Sequence, residues 1–185
     1  MIGYAFSGSF CTLADSYKQL SLLVDAGIEV VPIMSENAYA TDTRFFAAEE
    51  FRRMVSEKTG KKIVHTIVEA EKFGPTPLEA LIISPCTGNT LAKIASGITD
   101  TAVTMAAKAT MRCDGKILIA LASNDAMSQN LKSIGTLLTR KSIFFVPLRQ
   151  DNPKGKPHSL VADFDRLPEA FRAMNDGVQL RPLFL

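Results

Sequence analysis

The sequence is poor in the residues that build metal centres and disulfides. Its 185 residues include no tryptophan, two histidines and three cysteines. The cysteines (Cys11, Cys86 and Cys113) are odd in number and widely spaced, which fits neither a disulfide framework nor a Cys-x-x-Cys metal site. No apolar run approaches the roughly 18 residues of a membrane span, and the N-terminus lacks the basic region of a signal peptide. We therefore expect a cytoplasmic protein that holds no metal and enters no membrane.

Charge of one sign is also lacking, since Lys and Arg exceed Asp and Glu by only 21 to 19. So small an excess gives no reason to expect nucleic acid as a partner. The chain is 46% hydrophobic and 22% charged, which is typical of globular proteins. Its length suits one domain over 1–185, with a polar loop at 149–158 and a C-terminal helix and tail at 159–185.

Short apolar runs alternate with longer amphipathic segments along most of the chain. The runs lack polar alternation, which predicts strands covered on both faces, as in a parallel sheet. Strands are predicted at 2–6, 29–34, 62–68, 80–84, 116–122 and 143–148. Helices are predicted at 13–26, 43–58, 126–139 and 165–175, with two more inside 90–112 separated near Gly97–Asp100. This order predicts an open, doubly wound, Rossmann-like α/β fold.

Small polar residues follow four of the predicted strands. In open α/β sheets ligands bind beyond the carboxyl ends of the strands. Hydroxyls and free N–H groups at helix N-termini suit a phosphate. The same residue types are also ordinary N-caps, so capping remains an alternative. The candidate cofactor-binding residues are Ser7, Gly8, Ser9, Ser35, Thr87, Gly88, Asn89, Thr90 and Ser123. Because GxGxxG and GxxxxGK[ST] are both absent, a single phosphate, as on FMN, is favoured over a dinucleotide.

Three of these stretches resemble the flavoprotein family of the homo-oligomeric flavin-containing cysteine decarboxylases. They are the loop SGS after the first strand, the run PCTGNTLAKIASGITDT (85–101) and the stretch SNDAM (123–127). The resemblance implies a flavodoxin-like three-layer sandwich with a six-stranded parallel sheet. It also implies FMN at these loops and a homo-oligomer.

The resemblance is closer to one branch of the family, the B-type subunits of dipicolinate synthases. It rests on GxxxSGSFCT, Asp42-Thr43-Arg44-Phe45, TGNTLAKIASGITD, MAAKATMR, SNDA and IFFVPLRQDNPKGKPHSLVAD, and it extends from Ile2 to about Pro168. It implies an oxidoreductase component that acts with a second, A-type subunit, which supplies NADP. Together the two types of subunit oxidise a hydroxylated tetrahydrodipicolinate to dipicolinic acid in the mother cell of a spore-forming bacterium.

The sequence departs from the decarboxylase pattern in two respects. The decarboxylases carry a catalytic histidine after the third strand, whereas 69–75 here contains none, and Thr87 stands where they have serine. His65 lies inside an apolar run and is interpreted as structural. Cysteine decarboxylation is therefore disfavoured. Two alternatives remain, an FMN-dependent decarboxylase and a non-catalytic assembly partner of the A-type subunit.

A dicarboxylate substrate needs cationic and polar partners. Arg149 and Lys156, in or beside the polar loop, are candidates for the two carboxylates. Asn124 and Met127 are expected near the flavin ring or the substrate. For a proton acceptor the sequence offers only candidates by position: Glu69, Glu71 and Asp125. Arg44 is a candidate carboxylate contact, and Asp42 is interpreted as a helix cap.

Overall fold

Seven strands form one sheet in the computed structural model, which describes residues 1–185. Parallel pairing gives the order β2-β1-β3-β4-β5, and β7 and β6 continue the sheet antiparallel at the carboxyl end of β4. The strands are β1 Ile2–Phe6, β2 Val30–Met34, β3 Ala80–Thr87, β4 Lys116–Ser123, β5 Ile143–Phe145, β6 Leu148–Arg149 and β7 Leu160–Ala162.

Eight helices cover the two faces of the sheet. The helices are α1 Leu13–Asp25, α2 Glu36–Ala40, α3 Ala48–Thr59, α4 Ile67–Ala70, α5 Gly88–Ala95, α6 Ala102–Arg112, α7 Leu131–Leu138 and α8 Leu167–Asn175. Helices α1, α3 and α8 pack together on one side, and α5 contacts α6 and α7 on the other. Every residue of β1 is buried, as are the first seven of β3, which explains their continuous apolar character. None of the helices is long and apolar enough to cross a bilayer.

The three-layer α/β fold class predicted from the sequence is confirmed, although the strand count differs from six parallel strands. Five strands are parallel, and the short antiparallel pair β6 and β7 was not predicted. The prediction of two helices inside 90–112 is confirmed, with the break at 96–101. Helix α3 begins at Ala48 rather than at 43, and α7 begins at Leu131 rather than at 126.

The predicted strand at 62–68 is wrong. Only Val64 pairs with the sheet, through an isolated bridge to Ile33, and α4 begins at Ile67. A capping box starts this helix: the Thr66 hydroxyl accepts from the N–H of Glu69, and the Glu69 carboxylate accepts from the N–H of Thr66. The reciprocal bonds satisfy helix-end donors that a strand would leave to a neighbour, so the local signal ends the extended run.

Candidate functional site

The carboxyl ends of β1, β3 and β4 open into a cleft of about 850 Å³. It lies where the first strand passes into α1 and the third into α5, at the edge where open parallel sheets bind ligands. Its lining is mostly polar and includes Gly8, Ser9, Phe10, Cys11, Arg44, Phe45, Thr87, Gly88, Asn89, Ser123, Asn124, Asp125, Gln129, Asn130, Lys132 and Lys156.

The cleft brings together eight of the thirteen residues predicted for cofactor and substrate. They meet because β1, β3 and β4 are adjacent and parallel, so the residues that follow them share one edge of the sheet. The eight are Gly8, Ser9, Thr87, Gly88, Asn89, Ser123, Asn124 and Lys156. Their roles as ligands stay predictions.

Three of the other predicted residues use their hydroxyls inside the protein. Ser7 is 1% exposed, and its hydroxyl donates to the Pro85 carbonyl at 2.7 Å while accepting from the N–H of Thr87 at 2.8 Å. Ser35 caps α2 by accepting from the N–H of Ala38. Thr90 is buried and accepts from the hydroxyl of Thr87 at 3.0 Å. The alternative of capping and loop packing accounts for all three hydroxyls.

Met127 and Arg149 do not line the cleft. Met127 is half-buried, and its N–H donates to the His158 carbonyl, which ties the turn after β4 to the end of the polar loop. Arg149 is exposed on β6. Arg44 and Lys132 instead supply cations from 42–45 and from α7. The sequence offered a signal for Arg44, whereas Lys132 reads as an ordinary exposed helical lysine.

Asp125 lies in the cleft within a fixed hydrogen-bond cluster. Its Oδ1 accepts from the Ser123 hydroxyl at 2.6 Å, and both carboxylate oxygens accept from the Asn130 amide at 2.9 and 3.0 Å. These bonds, first from Ser123 and then from Asn130, hold the pKa of the Asp125 carboxyl below its usual value. At neutral pH the cleft therefore carries a fixed negative charge beside the predicted phosphate-binding residue Ser123.

Gly88 is the residue that lets α5 approach this cluster. A Cβ at position 88 would lie 2.5 Å from Ser123 Oγ, 2.6 Å from Asn130 Nδ2 and 3.0 Å from Asp125 Oδ1. The Asp125 carboxylate thus sits beside the first residue of α5, where a helix stabilises negative charge. An incoming phosphate meets open space only on the other side, towards Gly8 and Ser9.

The Gly8–Ser9 side of the cleft fits a single phosphate. The N–H of Gly8 donates to no protein atom, and Ser9 Oγ accepts from the Thr12 hydroxyl at 3.0 Å, which leaves its own proton free. Gly88 and Asn89 open α5, so their N–H groups have no partner within the helix. Thr87 lines the same wall, but its hydroxyl caps the helix by accepting from the N–H of Thr90. Donor chemistry of this kind suits the FMN phosphate.

The predicted proton acceptors are not together. The Glu69 carboxylate belongs to the capping box of α4 and bonds Lys62 at 2.8 Å. The Lys62 bond and the backbone N–H of His65 lower the Glu69 pKa to about 2. Glu71 lies beside Gly74 and Met105, away from the cleft. Of the three candidates only Asp125 lines the cleft, and a carboxylate with a lowered pKa is a weak base.

The histidines and cysteines divide in a similar way. His65 packs edge-on to Tyr39 with ring centroids 3.8 Å apart, outside the cleft. Burial raises the pKa of the Cys86 thiol, which keeps it protonated and unreactive. Cys11 is exposed and lines the cleft, so the only reactive thiol at the site belongs to the loop before α1.

The family model described as Flavoprotein matches residues 1–166. The B-type subunit of dipicolinate synthase from Bacillus subtilis (strain 168) is 38% identical over 185 residues, which is 100% of this chain and 92% of the relative. The crystal structure of the same type of subunit from Bacillus halodurans is 38% identical, with a TM-score of 0.91 over 100% of this chain and 95% of that one.

A more distant structure shares the fold. It is an FMN-dependent cysteine decarboxylase that is 22% identical, with a TM-score of 0.69 over 95% of each chain. At that identity the likeness is evidence for the fold alone.

Proposed function

The chain belongs to the flavoprotein family, and we propose that it serves there as the B-type subunit of a dipicolinate synthase. The observation that carries the proposal is the 38% identity over the whole chain to two such subunits, together with the polar cleft at the sheet edge. The reaction converts a hydroxylated tetrahydrodipicolinate to aromatic dipicolinate. It removes one water, together with a hydride and a proton, and therefore needs an acceptor for two electrons.

FMN is the cofactor that these residues are best suited to hold. We place its phosphate against the N–H of Gly8, the hydroxyl of Ser9 and the first turn of α5. When bound, FMN supplies a two-electron acceptor. The exposed ring of Phe45 and the half-buried ring of Phe10 offer apolar surface in the same cleft for a flat ligand.

The substrate carboxylates are assigned to the cations of the cleft. Lys132 and Arg44 form no ion pair within the chain, so both remain available to a dianion. Lys156 bonds Asp151 at 3.2 Å, which holds the end of the polar loop over the same opening. Cationic groups in a partly enclosed cleft bind carboxylates through charge-assisted hydrogen bonds.

A partner of the A type is part of the proposal. The two relatives are the B-type halves of their enzymes, and the NADP site is assigned to the A-type subunit because this chain has no dinucleotide-binding glycine motif. The cleft supplies one weakly basic carboxylate and no histidine, so we assign part of the proton transfer to the partner as well. A homo-oligomer remains a prediction.

An FMN titration of the purified chain tests the cofactor assignment. Flavin absorbance should shift on binding, both for the chain alone and for its complex with the A-type subunit. Ser9→Asp places a carboxylate against the proposed phosphate and should abolish the shift. Ser96→Asp adds the same charge to the same cleft, about 12 Å along α5 from Gly88, and should bind FMN as the wild type does. Equal affinity in Ser9→Asp would exclude this phosphate site.

A non-catalytic assembly partner is the second candidate, favoured by the lack of any strong base in the cleft. It predicts that the chain purifies and titrates without flavin and that the A-type partner by itself accounts for the chemistry. Dehydrogenation that depends on flavin bound to this chain would eliminate it.

A further inference from the structure

Asp125 is an ionised carboxylate to which the chain gives no cationic partner. Its hydrogen bonds come from a hydroxyl and a neutral amide, and none of the ion pairs of the chain includes it. It is half-buried and faces the cleft. A partly desolvated carboxylate without a counter-charge is complementary to a cation brought by the ligand.

The same cleft holds cations that lack partners of their own. Arg44 stacks on Phe45 at 4.8 Å without an acidic partner, and Lys132 forms no ion pair. The lining thus combines one fixed negative charge with unpaired positive charges. A ligand that matches this pattern has one positive charge and more than one carboxylate.

We propose that Asp125 binds the protonated ring nitrogen of a cyclic amino dicarboxylate, while Arg44 and Lys132 bind its carboxylates. The inference rests on the proposed function, because it specifies how the same cleft recognises the dipicolinate precursor. It makes Asp125 a specificity residue that distinguishes a nitrogen ring from a carbocyclic diacid. The bonds from Ser123 and Asn130 fix the direction of the carboxylate and leave it charged.

The assignment also has a chemical consequence. Ring nitrogen in a tetrahydrodipicolinate is an imine, and a protonated imine draws electron density from the neighbouring carbons. Asp125 stabilises that protonated form and so makes the adjacent C–H bonds more acidic. Loss of water and a proton from the ring then requires only the weak bases found at this site.

Two ring ligands of the same shape test the charge match in the complex of this chain with the A-type subunit. The ligand cis-piperidine-2,6-dicarboxylate carries a secondary ammonium at neutral pH, and cis-cyclohexane-1,3-dicarboxylate carries none. Isothermal titration should show the wild-type complex preferring the piperidine by about ten- to a hundred-fold, the range expected for a charge-assisted hydrogen bond. Equal affinities, or binding of neither ligand, would overturn the proposal.

Asp125→Asn keeps the side-chain shape and an oxygen that can accept from Ser123, and removes the charge. It should abolish the preference by weakening the piperidine alone, with the cyclohexane diacid bound as well as before or better. Asp176→Asn, an exposed residue at the end of α8, should keep the wild-type preference. A retained preference in Asp125→Asn, or an equal loss for both ligands, would show that Asp125 only shapes the turn.

Thermal unfolding of each variant verifies that the comparison is between folded proteins. The ligand preference is independent of turnover, so the two ideas fail separately. Absence of dipicolinate synthesis with the preference intact refutes the proposed function and leaves a site for a zwitterionic diacid. Dipicolinate synthesis at the wild-type rate in Asp125→Asn, with the preference unchanged, refutes only the role of Asp125.

Discussion

Replacing Ser7 with alanine should destabilise the protein although Ser7 follows a strand at the ligand-binding edge. The Ser7 hydroxyl joins two neighbouring strands, donating to the Pro85 carbonyl at 2.7 Å and accepting from the N–H of Thr87 at 2.8 Å. Alanine removes both bonds. The Pro85 carbonyl still accepts from the N–H of Ser7 at 3.1 Å, whereas Thr87 loses its only protein acceptor.

The expected cost is about 2 kcal/mol, from two hydrogen bonds worth roughly 1 kcal/mol each. For a chain of this size that lowers Tm by roughly 4–8 °C. Ser9→Ala is the matched control, because the Ser9 side chain accepts one bond, from Thr12, in a more exposed place. Urea unfolding of the flavin-free protein measures both variants. A loss below about 0.5 kcal/mol in Ser7→Ala, or an equal loss in the two variants, would refute the assignment of Ser7 as a structural link.

Two further predictions concern titration and thiol chemistry. The Glu69 pKa is lowered from 4.5 to about 2 in the folded state, so its contribution is fully present above pH 4.5 and is lost as pH falls towards 2. Denaturant unfolding should therefore show Glu69→Gln less stable than wild type at neutral pH, with the gap closing over that range; a constant gap, or a similar trend in the exposed Glu57→Gln, would contradict this. Iodoacetamide followed by mass spectrometry should label Cys11 and Cys113 and spare Cys86 in the native protein. FMN should protect Cys11 but not Cys113, and the reverse would place the flavin elsewhere.

The sheet could be predicted because its strands are buried on both faces, which leaves continuous apolar runs in the sequence. The segment 62–68 has the same apolar character but forms no strand. The Thr66-x-x-Glu69 capping box was present in the sequence and decided the outcome, since it begins a helix inside the run. Strands β6 and β7 have two and three residues and pair across a long loop, so no local pattern could have revealed them.

Helix starts were predicted too early for a related reason. The N–H of Ala48 donates to the Asp42 carboxylate at 2.8 Å, so the acid expected to cap a helix acts six residues before it. After β4, the Asp125 carbonyl accepts from the N–H groups of Ser128 and Asn130, which form a turn and delay α7. Tertiary contacts, not helix propensity, set these boundaries.

The location of the site followed from topology, whereas individual hydroxyls did not. Parallel strands bring their carboxyl ends to one edge, so the polar residues beyond β1, β3 and β4 meet. Ser7 and Ser35 directly follow a strand, where neighbouring backbone groups use their hydroxyls. Ser9, two residues further along, keeps a free donor. Sequence shows which residue types reach the edge, and packing decides which of them still have a bond to offer.

Dipicolinate formation by the reconstituted complex tests the central claim most directly. This chain is mixed with the A-type subunit, FMN, NADP and the hydroxylated tetrahydrodipicolinate, and the aromatic product is followed by its ultraviolet absorbance. The account predicts product from the mixture, none from either protein by itself, loss of product in Ser9→Asp and normal turnover in Ser96→Asp. Product from the A-type subunit without this chain, or undiminished turnover in Ser9→Asp, would contradict it.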